Sequence, residues 1–191
     1  MALSRDDKID EAYFVKGQYY RLKGQSDEAI DNFDKTIKVN PNFVQAYFWE
    51  AFLFAGKGDF IKAIENGELS VKYSPSTDRP GWQRDLGTFY LRVGFFDKAK
   101  SSFQEAFAQD SNKREYLRNT FSTELSSENF DEALKLSKEL LEMDSTSLKG
   151  IINVLVVYHY IPGHNDEAYT LAKRLIEQIK TSQNIHPFYL D

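Results

Sequence analysis

Apolar residues recur along the chain with the spacing of α-helices, in pairs of short segments separated by a turn. In the first segment, Tyr13, Gly17 and Tyr20 fit a period of about 3.6 residues rather than strict alternation. Gly24 interrupts this pattern where a helix would end. The second segment ends before Pro41, because proline cannot continue the helical hydrogen-bond ladder. Its apolar face is formed by Ala29, Ile30, Phe33 and Ile37.

This pair of segments recurs along the whole chain. One series of residues in the second segment is spaced by 34, 36, 34 and 35 positions: Ala29, Ala63, Ala99, Ala133 and Ala168. A second series runs twelve residues earlier with the same spacings: Gly17, Ala51, Gly87, Phe121 and Val156. Two series in step indicate stacked structural repeats. We number five repeats, 10–43, 44–77, 80–113, 114–147 and 149–182, between an N-terminal segment 1–9 and a C-terminal tail 183–191. The prediction is an all-α chain of about ten helices.

The period and the residues within it resemble the tetratricopeptide repeat (TPR) family. Repeat 1 carries the full pattern of aromatic, small, alanine and proline positions: Tyr13, Gly17, Tyr20, Ala29, Phe33 and Pro41. Repeats 2 and 3 keep most of it, whereas repeat 4 departs at Phe121 and Glu124 and repeat 5 at Val156 and His159. The resemblance covers residues 10–182 and implies antiparallel helices wound into a right-handed superhelical solenoid, followed by a short tail.

The resemblance also implies a function. In such proteins the first helix of each repeat faces a concave groove that holds a peptide or helix of a partner. The corresponding positions here are Phe14, Gln18, Phe48, Trp49, Phe52, Arg84, Thr88, Arg92, Arg118 and Ser122. Aromatic and arginine side chains dominate binding hot spots. We therefore expect an interaction scaffold or adaptor whose protein or peptide partner carries apolar and some acidic residues.

Other interpretations of the same residues stay open. The N-terminal segment 1–9, or packing between repeats, could cover Phe48 and Phe52, or these residues could mediate self-association instead of binding a foreign partner. The arginines could equally form an ordinary solvated face.

The TPR subclass that clamps the acidic C-terminal tails of chaperones does not fit this chain. That subclass places lysine, arginine and asparagine side chains at defined groove positions. The corresponding residues here are Phe14, Gln18, Trp49, Gly81 and Asp85. An aspartate where a cation should bind repels a carboxylate, so a carboxylate-clamp co-chaperone is not expected.

A second function is suggested by the last predicted helix. Its apolar residues, Leu171, Leu175, Ile176 and Ile179, form a face that repeat arrays usually cover with a capping helix. Either the tail folds back over this face, or the chain is a fragment of a longer array, or the face pairs with another copy. The last case predicts a structural protein that self-assembles into homo-oligomers.

Composition narrows the alternatives. The 191 residues include 24 Lys and Arg against 29 Asp and Glu, a net charge of −5, which argues against a nucleic-acid-binding protein. The absence of cysteine excludes disulfides, cysteine nucleophiles and thiolate zinc sites. No apolar run approaches the roughly 20 residues of a membrane span, and the first residues do not resemble a secretory signal. A cytoplasmic protein that does not insert into membranes is the default expectation.

The sequence contains no recognisable catalytic or cofactor motif. His159 and His164 flank a Pro-Gly turn, so they do not share a helix face as a metal-binding pair would. Phosphate-binding loops, dinucleotide fingerprints and nucleophile elbows are missing from the sequence. Acidic pairs such as Asp27-Glu28 lie at helix starts, where the helix dipole explains them. We expect no catalytic residue, no metal and no cofactor, and therefore no enzyme.

Overall fold

The computed structural model describes residues 9–183, which are organised as helices joined by short turns, without strands in that range. The helices are α1 (Ile9–Leu22), α2 (Ser26–Val39), α3 (Val44–Gly56), α4 (Phe60–Tyr73), α5 (Arg79–Arg92), α6 (Phe96–Asp110), α7 (Lys113–Ser126), α8 (Phe130–Met143), α9 (Leu148–Tyr160) and α10 (Asn165–Gln183). The prediction of an all-α fold with about ten helices is confirmed for the described residues. Residues 1–8 of the predicted N-terminal segment and 184–191 of the predicted tail lie outside them.

Each repeat consists of two consecutive helices that pack against each other. The turn between them needs a backbone conformation with positive φ, which glycine adopts without steric cost. Gly24, Gly58, Gly94 and Gly163 supply it with φ between 73° and 92°. In repeat 4 the corresponding residue is Glu128, with φ of 60°.

Small residues allow close approach of the two helices in repeats 1 and 3. A Cβ atom added to Gly17 would lie 2.6 Å from the Phe33 ring, and one added to Gly87 would lie 2.6 Å from the Phe103 ring. Phe33 and Phe103 are almost completely buried. The glycine of the first helix and the aromatic ring of the second therefore form one complementary pair in each of these repeats.

The departures from the repeat pattern have local compensations. In repeat 2, Gly67 replaces the aromatic residue, and a Cβ there would lie 3.2 Å from the ring of Phe89, which belongs to the next repeat.

In repeat 4 the large and small side chains exchange places between the two helices. The first helix carries the buried Phe121 and the second carries the fully buried Ser137. The buried Glu124 accepts a hydrogen bond from Asn129 Nδ2 at 2.8 Å.

Repeat 5 shows a shift along α9. Val156, the residue in step with the small positions of the other repeats, is 39% exposed, whereas its neighbour Val157 is fully buried.

The chain divides into two compact units, Met1–Ser111 and Asn112–Asp191. In the first unit, α1 to α6 enclose two core clusters, one around Phe33 and one around Phe89. In the second unit, α7 to α10 include a core cluster that contains Phe121 and Val157. None of the helices in residues 9–183 is long and apolar enough to cross a membrane.

Candidate partner-binding site

Four aromatic side chains of the first unit are in contact with one another. The ring centroids of Phe48 and Trp49 are 5.0 Å apart, those of Trp49 and Phe52 are 5.9 Å apart, and those of Phe48 and Trp82 are 4.9 Å apart. Phe48, Trp49 and Phe52 lie on α3, and Trp82 lies on α5. We call these four residues the aromatic surface.

The sequence of α3 explains why these rings are partly exposed. One face of the helix is buried through residues such as Tyr47, Ala51 and Ala55. Phe48 and Phe52 are four residues apart, so their side chains lie one above the other on the adjacent face. Phe52 is 49% exposed, and Phe48, Trp49 and Trp82 are half-buried. Contiguous exposed apolar groups of this kind mark interaction sites.

A cation stacks on the edge of the aromatic surface. The Arg21 guanidinium carbon lies 3.9 Å from the centroid of the Trp49 ring, a cation–π contact that fixes both side chains. Arg21 Nε donates a hydrogen bond of 2.7 Å to Gln18 Oε1. Gln18 was expected at the groove, and here it orients Arg21.

Two residues of this arrangement, Arg21 and Trp82, were not among the groove residues predicted from the sequence. Arg21 is the twelfth residue of repeat 1, and this position faces the groove in the TPR family. The repeat pattern could therefore have identified Arg21 as a groove residue. Trp82 is the third residue of repeat 3, a position that does not face the groove in the TPR family. The only sequence feature that pointed to Trp82 was that it is a tryptophan.

Phe14 lies apart from the aromatic surface. Its ring centroid is 5.6 Å from that of Phe33 and 4.7 Å from that of Phe43, and it packs on the core cluster around Phe33. Phe14, Phe33 and Phe43 all belong to repeat 1, so these ring contacts lie within one repeat.

Two of the arginines expected at the groove, Arg84 and Arg92, have intramolecular contacts in the first unit. Arg84 forms an ion pair with Asp110, and Thr88 Oγ1 donates a hydrogen bond to the Arg84 carbonyl. The Arg92 guanidinium lies 5.9 Å from the Phe60 ring centroid. The ion pair with Asp110 therefore neutralises the charge of Arg84. Burial raises the pKa of the neighbouring Asp85 to about 6, although Arg84 beside it opposes the rise.

Arg118 and Ser122 belong to the second unit. Both lie on α7, where Arg118 forms an ion pair with Glu115, and Ser122 Oγ donates a hydrogen bond of 3.0 Å to the Arg118 carbonyl. The other eight expected groove residues lie in the first unit.

The apolar residues of α10 are unevenly exposed. Leu171 and Leu175 are half-buried, whereas Ile176 is 50% and Ile179 is 40% exposed. None of residues 165–181 of α10 is buried, so this part of the helix leaves apolar surface open to solvent.

Comparisons with known proteins address the fold. Residues 10–43, the whole of repeat 1, match the family model for the tetratricopeptide repeat. A search among curated proteins finds no match. The structure is similar to that of MamA, with 20% sequence identity and a TM-score of 0.72, over 88% of this chain and 96% of MamA.

Two further solved structures show the same likeness. YrrB, a TPR protein with an unusual peptide-binding site, is 17% identical with a TM-score of 0.61, over 99% of this chain and 96% of YrrB. A putative kinesin light chain with nearly identical TPR-like repeats from Podosopora anserina is 14% identical with a TM-score of 0.77, over 95% of this chain and 99% of that chain. At these identities the similarity shows the fold.

Proposed function

Because the chain is a tetratricopeptide repeat protein, we propose that it is an interaction module that holds a segment of a partner protein against the aromatic surface. The observation that carries this proposal is the contact between Phe48, Trp49, Phe52 and Trp82 while Phe52 stays 49% exposed. Covering apolar surface stabilises a complex by roughly 25 cal/mol per Å² before the costs of association.

The chemistry of the aromatic surface indicates which partner residues it accepts. Ring faces and edges accept aliphatic or aromatic anchors, which gain both burial and ring contacts. Arg21, held over Trp49, keeps donors available for a carbonyl or carboxylate of the partner. Because Arg84 is already paired with Asp110, apolar anchors contribute more to binding in this unit than acidic ones. The fold likeness to YrrB, a peptide-binding TPR protein, supports a peptide as ligand.

The proposal is tested with peptides selected from a display library against the full chain. Phe52→Ala should weaken binding of a selected peptide by about 30-fold, the loss typical of a hot-spot aromatic residue. Phe95→Ala is the matched control, because Phe95 is 52% exposed on the same unit but contacts Tyr90 instead of the aromatic surface. Titration calorimetry gives the affinities. Equal affinity of the original chain and the Phe52→Ala variant would refute the assignment of the site.

Self-association through α10 is a second candidate function. The exposure of Ile176 and Ile179, on a helix in which none of residues 165–181 is buried, favours it. In this proposal Leu171, Leu175, Ile176 and Ile179 of one copy meet the same residues of another copy, as in a symmetric dimer.

Light scattering over a dilution series tests self-association. The proposal predicts a multiple of 22.1 kDa that falls on dilution, because a reversible assembly dissociates at low concentration. Ile176→Glu should give monomer at every concentration, while Thr181→Glu, which adds the same charge on the same helix, should leave the assembly intact. A mass of one chain throughout would contradict this function.

A further inference from the structure

A cavity of about 160 Å³ opens on the second unit, where the starts of α7 and α9 come together. Three basic side chains line it: Arg114, Arg118 and Lys149. Glu115 contributes the one carboxylate of the lining and Leu140 an apolar wall. This cavity lies outside the aromatic surface and was not anticipated from the repeat pattern, apart from Arg118.

The positive charge in this cavity is only partly neutralised. Glu115 is paired with Arg118. Arg114 and Lys149 form no ion pair with any residue in the range 9–183. The chain as a whole carries a net charge of −5, whereas the side chains that line the cavity carry a net positive charge. Such a concentration of one charge in a concave site attracts ligands of the opposite charge.

The start of α9 adds to the positive potential. Ser147 is the N-cap, and its Oγ accepts a hydrogen bond of 3.1 Å from the Gly150 amide. The first turn of α9 contains no acidic residue, and it carries Lys149 at the end of the helix that already favours anions. Both Ser147 and Gly150 line the cavity.

We propose that this cavity binds an oxyanion, a carboxylate or phosphate group carried by a protein segment. Arg114 and Arg118 would each offer the planar fork that matches the oxygens of such a group, and Lys149 would contribute a third charge. The anion would compete with Glu115 for Arg118, while Leu140 would contact the carbon chain that bears the anion. This site is independent of the aromatic surface, so neither proposal depends on the other.

Titration of the isotope-labelled full chain by NMR tests the site with two probes, inorganic phosphate and N-acetylglutamate N-methylamide, at constant ionic strength. We expect the Lys149 and Gly150 amides and the Arg114 and Arg118 Nε–H signals to shift saturably with at least one probe. The probe that binds more tightly identifies the class of anion. Shifts that stay linear with concentration for both probes would overturn the proposal.

Charge-matched variants separate a built site from general attraction. The double variant Arg114→Gln/Lys149→Gln should weaken binding at least tenfold. The control Lys135→Gln/Lys180→Gln removes the same charge from the same unit, at lysines paired with Glu132 and Glu177, and should leave the affinity unchanged. Glu115→Gln should strengthen binding, because it frees Arg118. Equal weakening by both double variants would show unspecific attraction and refute the site.

Discussion

Glu50 is a buried carboxyl group in α3, beside the residues of the aromatic surface on the same helix. Burial raises its pKa to about 8, and the Asp34 carboxylate, which is hydrogen-bonded to it, adds to the rise, while Lys38 opposes it. One of its oxygens, Oε1, has no hydrogen-bond partner within the described residues. Glu50 is therefore mainly protonated in the folded protein at neutral pH.

This pKa predicts a pH dependence of stability. A carboxyl group whose pKa is higher in the folded than in the unfolded state binds more protons when folded, so its contribution to the free energy of unfolding falls as pH rises from about 4.5 to about 8. Glu50→Gln removes this ionisation. We expect the variant and the original chain to differ little near pH 4, and the variant to be the more stable one near pH 8.

Denaturant unfolding at a series of pH values measures the difference between the two chains. Asp34→Asn is the control, because it should lower the pKa of Glu50 in the folded state, so the fall in stability should be smaller and should end at a lower pH. A stability difference between the original chain and Glu50→Gln that does not change from pH 4 to pH 8 would contradict the shifted pKa.

For individual residues, the sequence predicted which helix face a side chain occupies better than it predicted which residues the side chain contacts. The helical spacing of Phe48 and Phe52 was sufficient to place them on one face. The pairing of Arg84 with Asp110 joins residues on two helices 26 positions apart, and the stacking of Arg21 on Trp49 joins two repeats. Such contacts depend on side-chain directions across helices, which a periodic pattern does not contain.

Within single helices, the two glycines of α5 show how the helix pairs are packed. Gly87 faces the Phe103 ring, which a Cβ would approach to 2.6 Å, while nothing lies within 4 Å of a Cβ at Gly81. Both residues are helical, so alanine improves the helix propensity of each by up to about 1 kcal/mol. The two positions therefore differ in packing rather than in backbone preference.

Alanine at these two positions should have opposite effects. Gly87→Ala should destabilise the protein, because overpacking typically costs about 1–3 kcal/mol and exceeds the gain in helix propensity. Gly81→Ala should be neutral or slightly stabilising. Thermal unfolding of both variants checks this, and Phe103→Leu should partly rescue Gly87→Ala. A stabilising Gly87→Ala would contradict the close approach of α5 and α6.

Repeats 2 and 4 depart from the TPR residue pattern, and their helices nevertheless pack against each other. A repeat pattern alone does not predict how such departures are accommodated. The pattern assigns each position a residue size, but the fold requires only that facing positions be complementary. Phe89 of the next repeat therefore lies over Gly67, and a buried Phe121 is accompanied by a small Ser137. A degenerate repeat in sequence is thus still a packed pair of helices.

For the whole molecule, the fold was predictable because one period recurs along nearly the entire chain. Two independent series in step, at Ala29 and Gly17 and their repeats, were enough to predict ten helices. The division into two units at Ser111–Asn112 could not be predicted from the period. It falls inside repeat 3, which was expected to continue to residue 113. Arg114 and Lys149 are the first residues of repeats 4 and 5, one period apart, but the repeat pattern does not show that the starts of α7 and α9 enclose a cavity, so the basic cavity of the second unit also needed the structure.

Binding at the aromatic surface can be observed directly through the tryptophans, because both tryptophans of the chain, Trp49 and Trp82, belong to this surface. The full chain labelled with 5-fluorotryptophan gives two fluorine NMR signals, which are followed while a selected peptide is added. We expect both signals to shift to saturation with the dissociation constant found by calorimetry. A peptide that binds by calorimetry and leaves both signals unmoved would show that the aromatic surface is not the binding site.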